Sequence, residues 1–446
     1  VRRCFDEGRT RPLAWRAKQL EGIERFCSER LAEIEAALRT DLGKGHIESY
    51  GAEINLTAHE AKLSRKRLAR WASADRVSTP LIMQPGRCRI HKDPLGVVLV
   101  IAPWNYPFQL AVAPLVGALA AGNTAILKPS EVAPATSALL ARWLPQYVDP
   151  DAVQVVEGGV DETTAVLAER FDHIFYTGNG HVGRIVMTAA ARNLTPVTLE
   201  LGGKSPTIVD ATVDLAVAAK RVVWGKFFNA GQTCVAPDYV LVERSVHDAF
   251  VAQMVAAVTA FYGADAQQSP DYGRIVNTRH FDRLLPLLES GTAAVGGTHD
   301  RQDRFIAPTI LTGVAADSAV MADEIFGPIL PVLAVDNLDE AIAFINARPK
   351  PLALYLFSKS GDAEAQVLNR TSSGGVVINH VLLHLSVQGL PFGGVGESGM
   401  GAYHGKHSFD CFTHHKAVLR KSTSLDPTFM YPPYTPAKVR MLERVL

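Results

Sequence analysis

Between Gly96 and Leu201 the chain alternates five short apolar runs, GVVLVIA (96–102), TAIL (124–127), AVQVVE (152–157), HIFYT (173–177) and VTLEL (197–201), with longer stretches of helical pattern. Few folds accept that rhythm. Runs this short and this apolar suit strands buried on both faces, and the helices between them are the crossovers that parallel pairing requires. The expected fold class is α/β, with a doubly wound parallel sheet. Pro94 to Leu127 carries no charge over 34 positions, more than a membrane span needs. Pro103, Pro107, Pro114 and the turn at Gly122-Asn123 instead divide it into short buried elements.

In such a sheet ligands bind at the carboxyl ends of the strands. The segments that follow the five runs are PWNYP (103–107), KPSE (128–131), GG (158–159), TGNGHVG (177–183) and ELGG (200–203), which parallel strands would bring to one edge. Gly178 and Gly183 bracket a turn, Asn179, Gly180, His181 and Val182, that enters a helix whose N–H groups and dipole can meet a pyrophosphate. Lys128 and Glu131 can bind ribose hydroxyls or be solvated charges; Glu131 disfavours a 2′-phosphate, which Lys128 partly offsets. Asn105, between Trp104 and Tyr106, is a neutral donor for an oxyanion or simply a turn former. Glu200 ends a buried strand, where desolvation would raise its pKa toward that of a general base. Its alternative is an ion pair with Lys204.

A second α/β portion follows. PTIVD (206–210) reads as a strand, and Leu215, Ala218, Ala219 and Val222 form a helical stripe leading to Trp224 and Phe228. Those aromatics, four positions apart, share a face that lines a substrate tunnel or packs in the core. They precede Cys234 in WGKFFNAGQTCVAPD (224–238), where Gly231 and Thr233 leave room for a reactant. A reactive cysteine needs access and a thiolate; alone, this one reads equally as a small buried apolar residue. Further strands are expected at YVLVE (239–243), ILPVLAV (329–335), LYLFS (354–358) and GVVIN (375–379), with helices near 247–261, 278–290, 338–347 and 363–370. Glu324 and Phe326, on the turn DEIFGP (323–328), are placed to hold a cofactor ribose and flank its ring. Toward the amino terminus, Ile23, Phe26, Cys27, Leu31, Ile34 and Leu38 recur with helical period, and a helix over about 48–72 puts Ile54, Ala58, Ala61, Leu68 and Trp71 inside. RCRIHKDP alternates as an exposed ribbon with Cys88 and Ile90 on one face.

Composition excludes several classes. In 446 residues, 45 Lys+Arg balance 45 Asp+Glu, so nothing global attracts nucleic acid or an anionic membrane. Cys4, Cys27, Cys88, Cys234 and Cys411 are scattered without CxxC spacing, against a disulfide framework or zinc site and in favour of a reducing, cytoplasmic compartment. His404, His407, His414 and His415 are a tempting set of metal ligands, and the final AKVRMLERVL is too short and charged to span a bilayer.

The motifs PWNYP, KPSE, YTGN, TLELGGKSP, GQTCVAPDY, EIFGP and LPFGGVGESGMG occur in order, within a similarity that runs from RTRPLAWR to YHGKHSFDCFTH. The chain thereby resembles the NAD(P)-dependent aldehyde dehydrogenase superfamily, and most its class 3 branch of dimeric aromatic and fatty aldehyde dehydrogenases. The resemblance implies Cys234 as nucleophile, Glu200 as general base, and Asn105 with the Cys234 backbone N–H as oxyanion donors. It places Trp104, Lys128, Glu131, the Gly178–Gly183 turn, Glu324 and Phe326 around NAD or NADP, with Tyr106, Trp224, Phe228 and Thr233 in the substrate pocket. It implies an NAD(P)-binding domain over 1–78 and 96–200, a catalytic domain over 201–382, and bridging segments over 79–95 and 383–446 that complete a homodimer. It implies no metal, so His404, His407, His414 and His415 are not expected to hold one. The competing readings are a cysteine-dependent esterase or acyltransferase and a non-catalytic nucleotide-binding protein.

Overall fold

The structure is a computed structural model and describes residues 1–445. The five apolar runs form β1 (Val97–Ile101), β2 (Thr124–Lys128), β3 (Val153–Val155), β4 (His173–Thr177) and β5 (Val197–Glu200), all parallel, in the order β3-β2-β1-β4-β5. Every residue of β1 and β4 is buried, as expected of strands covered on both faces. The order reverses between β1 and β4, so the loops after these two strands flank the switch-point crevice.

The uncharged stretch owes its composition to this arrangement. Between β1 and β2 runs the helix Gln109–Ala121, buried at every position after Gln109. It is covered by helices Leu13–Glu29, Asn55–Ala72 and Lys406–Cys411. Pro114 lies inside this helix and does not end it, because burial all round outweighs the hydrogen bond that proline omits. Gly122 closes it in the left-handed conformation (φ 93°).

Residues beyond Lys204 build a second sheet. Its strands are β6 (Pro206–Val209), β7 (Tyr239–Glu243), β8 (Thr292–Val295), β9 (Thr309–Thr312), β10 (Ile329–Val335), β11 (Ala353–Phe357) and β12 (Gly375–Ile378), in the order β8-β9-β10-β7-β6-β11-β12. Only β8 is antiparallel to its neighbour. The pair β8 and β9 had no clear sequence signal: TAAV is a largely exposed edge strand of low β-propensity, and TILT is very short.

Three helical expectations need correction. The amino-terminal pattern is two helices, Leu13–Glu29 and Leu31–Leu42, broken at Arg30 (φ −115°, ψ 22°). The region 48–72 begins as His46–Ser49, passes through a π-helical turn at Tyr50–Ile54 and continues as Asn55–Ala72, with Ala58 only half-buried. The α-helix Thr278–Leu284 gives way at Leu285–Ser290 to a 3₁₀ stretch, where Pro286 lacks the N–H that would extend it.

Asp75–Val77, Gly86–Pro94 and Thr413–Lys421 form an antiparallel ribbon, paired from Thr413 opposite Pro94 to Lys421 opposite Gly86. Cys88 and Ile90 share its half-buried face. Carboxyl-terminal chain also completes the first sheet: β13 (Gly399–Met400) pairs antiparallel with β5, setting Gly399 opposite Glu200. Among the described residues no helix is long and apolar enough to cross a membrane.

Candidate active site

The loop after β1 and the loop before β7 meet at the carboxyl edge of the first sheet. Asn105 is buried, and its Nδ2 donates to the Gln232 carbonyl at 3.0 Å, two residues before Cys234. A side-chain amide has two N–H donors, so one remains for a ligand. Asn229 Nδ2 donates to the carbonyls of both Asn105 (2.8 Å) and Gln232 (3.1 Å), and the Tyr106 hydroxyl bonds Thr233 Oγ1 at 2.7 Å. These bonds tie the two loops together. The turn itself is strained: Asn229 (φ 53°) and Ala230 (φ 50°) are both left-handed, a costly conformation retained where surrounding structure enforces it.

Cys234 is half-buried, and desolvation, followed by the nearby carboxylates of Glu324 and Glu200, pushes its thiol well above the usual range. Glu200, at the end of β5, is 2% exposed, and among the described residues neither carboxylate oxygen has a hydrogen-bond partner. Burial raises its pKa well above the ordinary value. The alternative pairing with Lys204 does not occur, since Lys204 Nζ donates to Asp238 Oδ2 (2.5 Å) and to the carbonyls of Val320 (2.9 Å) and Asp323 (2.8 Å). An unsatisfied buried acid destabilises the fold, so Glu200 has the character of a group kept for chemistry.

The crevice fits a dinucleotide. Asn179 caps helix Gly180–Ala191 and accepts from Val182 N at 3.0 Å; the Val182 N–H is therefore taken, leaving the rest of the helix terminus and its dipole for a phosphate. Gly178 approaches so closely that a Cβ would lie 2.2 Å from the Tyr176 hydroxyl. Gly183 is buried, whereas His181 is exposed. Lys128 is no solvated charge: its buried Nζ donates to the carbonyls of Pro129 (2.9 Å) and Gly158 (2.6 Å), leaving a third donor. Glu131 stands 3.7 Å from it with its side chain half exposed. Glu324 Oε1 is buried without a partner among the described residues, and desolvation, then Asp238, raises this carboxyl to about 8. Phe326, left-handed at φ 49°, packs edge-on to Trp104 at 5.2 Å. Trp224 and Phe228 lie 5.5 Å apart, both half-buried, and Trp224 also meets His380 edge-on at 5.8 Å.

Sequence reasoning missed the polar groups beneath these loops. Lys44 and Glu53 form a fully buried ion pair, Glu48 Oε1 accepts from Asn229 N at 2.7 Å, and Lys226 is fully buried with no partner for Nζ among the described residues. Burial lowers Lys226 to about 8, with Asp238 opposing that shift. A signal existed for Glu53. Glu53, Thr57, Glu60 and Ser64 recur with helical period beside the apolar face and are all buried, a pattern a solvated face does not require.

Comparison with known proteins agrees with this geometry. The pattern of the aldehyde dehydrogenase family matches residues 2–418. The rat protein named aldehyde dehydrogenase, dimeric NADP-preferring, is 52% identical over 441 residues, covering 98% of this chain and 97% of its own. The 4,4′-diaponeurosporen-aldehyde dehydrogenase of Staphylococcus aureus is 50% identical over 432 residues, covering 96% of this chain and 94% of its own. The solved substrate-bound state of Staphylococcus aureus AldH superposes with a TM-score of 0.97 at 48% identity, over 99% of this chain and 97% of that one. With its fold, its paired loops and its crevice all accounted for, the chain belongs to the aldehyde dehydrogenase family.

Proposed function

We propose that Cys234 is the nucleophile of this aldehyde dehydrogenase, that Asn105 and the Cys234 backbone N–H are the oxyanion donors, and that Glu200 is the general base. The observation that carries this reading is the Asn105 amide, fixed on the Gln232 carbonyl with one donor left over. The Cys234 thiol gives up its proton to solvent as its sulfur adds to the aldehyde carbon, and the resulting thiohemiacetal oxyanion is stabilised by Asn105 without introducing charge. The chemistry that NAD or NADP supplies when bound is acceptance of the hydride. The adduct on Cys234 is then a thioester, and Glu200 takes a proton from the water that hydrolyses it, releasing the acid and restoring the thiol. Glu200's raised pKa suits it to accept that proton.

Lys128 and Glu131 bind the adenosine ribose in this reading, the Gly178–Gly183 turn meets the pyrophosphate, and Trp104, Glu324 and Phe326 position the nicotinamide half. The orphaned Glu324 oxygen is suited to a ribose hydroxyl. Tyr106, Trp224, Phe228 and Thr233 line the approach to Cys234, and their aromatic surfaces favour an aromatic or medium- to long-chain aldehyde. We assign 1–78 and 96–200 to cofactor binding, 201–382 to catalysis, and 79–95 with 383–446 to bridging in a cytoplasmic homodimer; the rat relative's name supports the dimer.

Appearance of reduced-nicotinamide absorbance with an aldehyde panel tests the activity, and no signal across aromatic and medium-chain aldehydes with both cofactors would contradict it. Cys234→Ala should abolish both turnover and the acyl adduct, whereas Glu200→Gln should accumulate the adduct. Normal acid release from Glu200→Gln would remove Glu200 from the base role.

A further inference from the structure

The Asn105 peptide is held from beneath by residues far from it in sequence. Lys44 Nζ donates to the Asn105 carbonyl at 2.8 Å and lies 4.0 Å from the Tyr106 ring centroid. It is also bonded to Glu53 Oε1, in a pair with no side-chain exposure on either partner. The other carboxylate oxygen, Glu53 Oε2, accepts from the backbone N–H groups of Phe108 (2.9 Å) and Gln109 (3.2 Å), the entry to helix Gln109–Ala121. One buried pair therefore grips PWNYPFQ (103–109) at three successive points: the Asn105 carbonyl, the Tyr106 ring and the Phe108–Gln109 amides. The Asn105 carbonyl has two lone pairs, taken by Lys44 Nζ and Asn229 Nδ2.

A buried ion pair is a poor device for stability alone, because desolvating two charges offsets much of their attraction. Two apolar residues could fill this space. They could not donate to a carbonyl, nor accept from two amides. We propose that Lys44, paired with Glu53, is a positioning residue for the oxyanion donor, holding the Asn105 peptide so that the free N–H of its side chain is aimed beside Cys234. This rests on the reading of Asn105 as that donor. Preorganised donors act because they need not reorient as charge develops, so loss of the grip acts on the chemical step and little on aldehyde binding.

The test is a cycle with four chains: parent, Lys44→Met with Glu53→Gln, Asn105→Ala, and all three substitutions together. The paired replacement leaves no uncompensated charge, and the amide that Glu53→Gln introduces still offers an oxygen to the Phe108 and Gln109 N–H groups. Folding is checked by thermal denaturation with and without NAD. The paired replacement should lower kcat about tenfold or more with KM for the aldehyde within about threefold, and Asn105→Ala should lower kcat by about 10²–10³. Combined, they should be no slower than Asn105→Ala alone within about twofold, since groups acting through one residue do not add. The proposal is overturned if the paired replacement leaves kcat unchanged, or slows Asn105→Ala by the factor it slows the parent. Should Asn105→Ala itself keep full kcat, the oxyanion-donor reading fails first, which is a distinguishable result. If the paired replacement does not fold, Lys44→Arg alone enters the same cycle. It keeps the charge balanced against Glu53 while replacing the compact ammonium donor to the Asn105 carbonyl by a planar guanidinium, with the same expected and overturning outcomes.

Discussion

Cys234 and Glu200 pose the same physical question in two residue types, since burial disfavours the charged form of each. The resting thiol is held protonated, so iodoacetamide alkylation of Cys234 should quicken about tenfold per pH unit from pH 6 to 9 without levelling. A plateau below pH 8 would show a thiolate already formed in the free enzyme. Glu200 makes the matching prediction for stability. In the unfolded chain it ionises near the ordinary value of about 4.3, whereas in the folded chain its pKa is raised by desolvation. Above pH 4 the unfolded state therefore holds fewer protons, and this residue's contribution to stability falls as pH rises toward the folded pKa. Glu200→Gln should match the parent near pH 4 in urea denaturation and exceed it by about 1–3 kcal/mol at pH 8. A gain independent of pH would assign it to packing.

At the scale of elements, the crevice depends on two loops that approach each other within atomic contact. A Cβ on Gly202, just after β5, would lie 2.0 Å from Glu324 Oε2. Gly202→Ala should displace that carboxylate and raise KM for NAD or NADP about tenfold, with the thermal midpoint nearly unchanged because a side-chain tip can yield. An unaltered cofactor KM would remove Glu324 from the cofactor site. The strands of the first sheet were legible because β1 is apolar throughout, β2 and β4 have apolar centres, and turn formers follow all three. Asn105 and Glu200 were legible as polar residues at strand ends, although whether Glu200 was paired could be settled only by seeing Lys204 bonded to Asp238. What stayed hidden depended on partners distant in sequence. Lys44 carries no sign of its role until the fold brings Asn105 over it, whereas Glu53 belongs to the buried polar stripe with Thr57, Glu60 and Ser64; β8 and β9 pair only because a sheet edge is already present.

For the molecule as a whole, the chain's last third is not an appendage to the first. Thr413–Lys421 supplies a strand of the ribbon, Glu60 Oε1 accepts from Gly405 N at 2.8 Å, and Asn123 Nδ2 donates to the Phe412 carbonyl at 2.9 Å. Ending the chain after Lys421 should preserve turnover, because residues 422–444 are largely exposed. Ending it after Val395 removes β13 and the third ribbon strand and should give insoluble protein; a soluble, active product would contradict that role. The pairing of β13 with β5 also has a consequence for biosynthesis. The partner of Glu200 is Gly399, so a ribosome adding about 5–20 residues per second takes roughly 10–40 s to deliver it. Throughout that interval the nascent first sheet has β5 as an uncovered edge, which makes this stage of translation the one at which a chaperone would have most to protect.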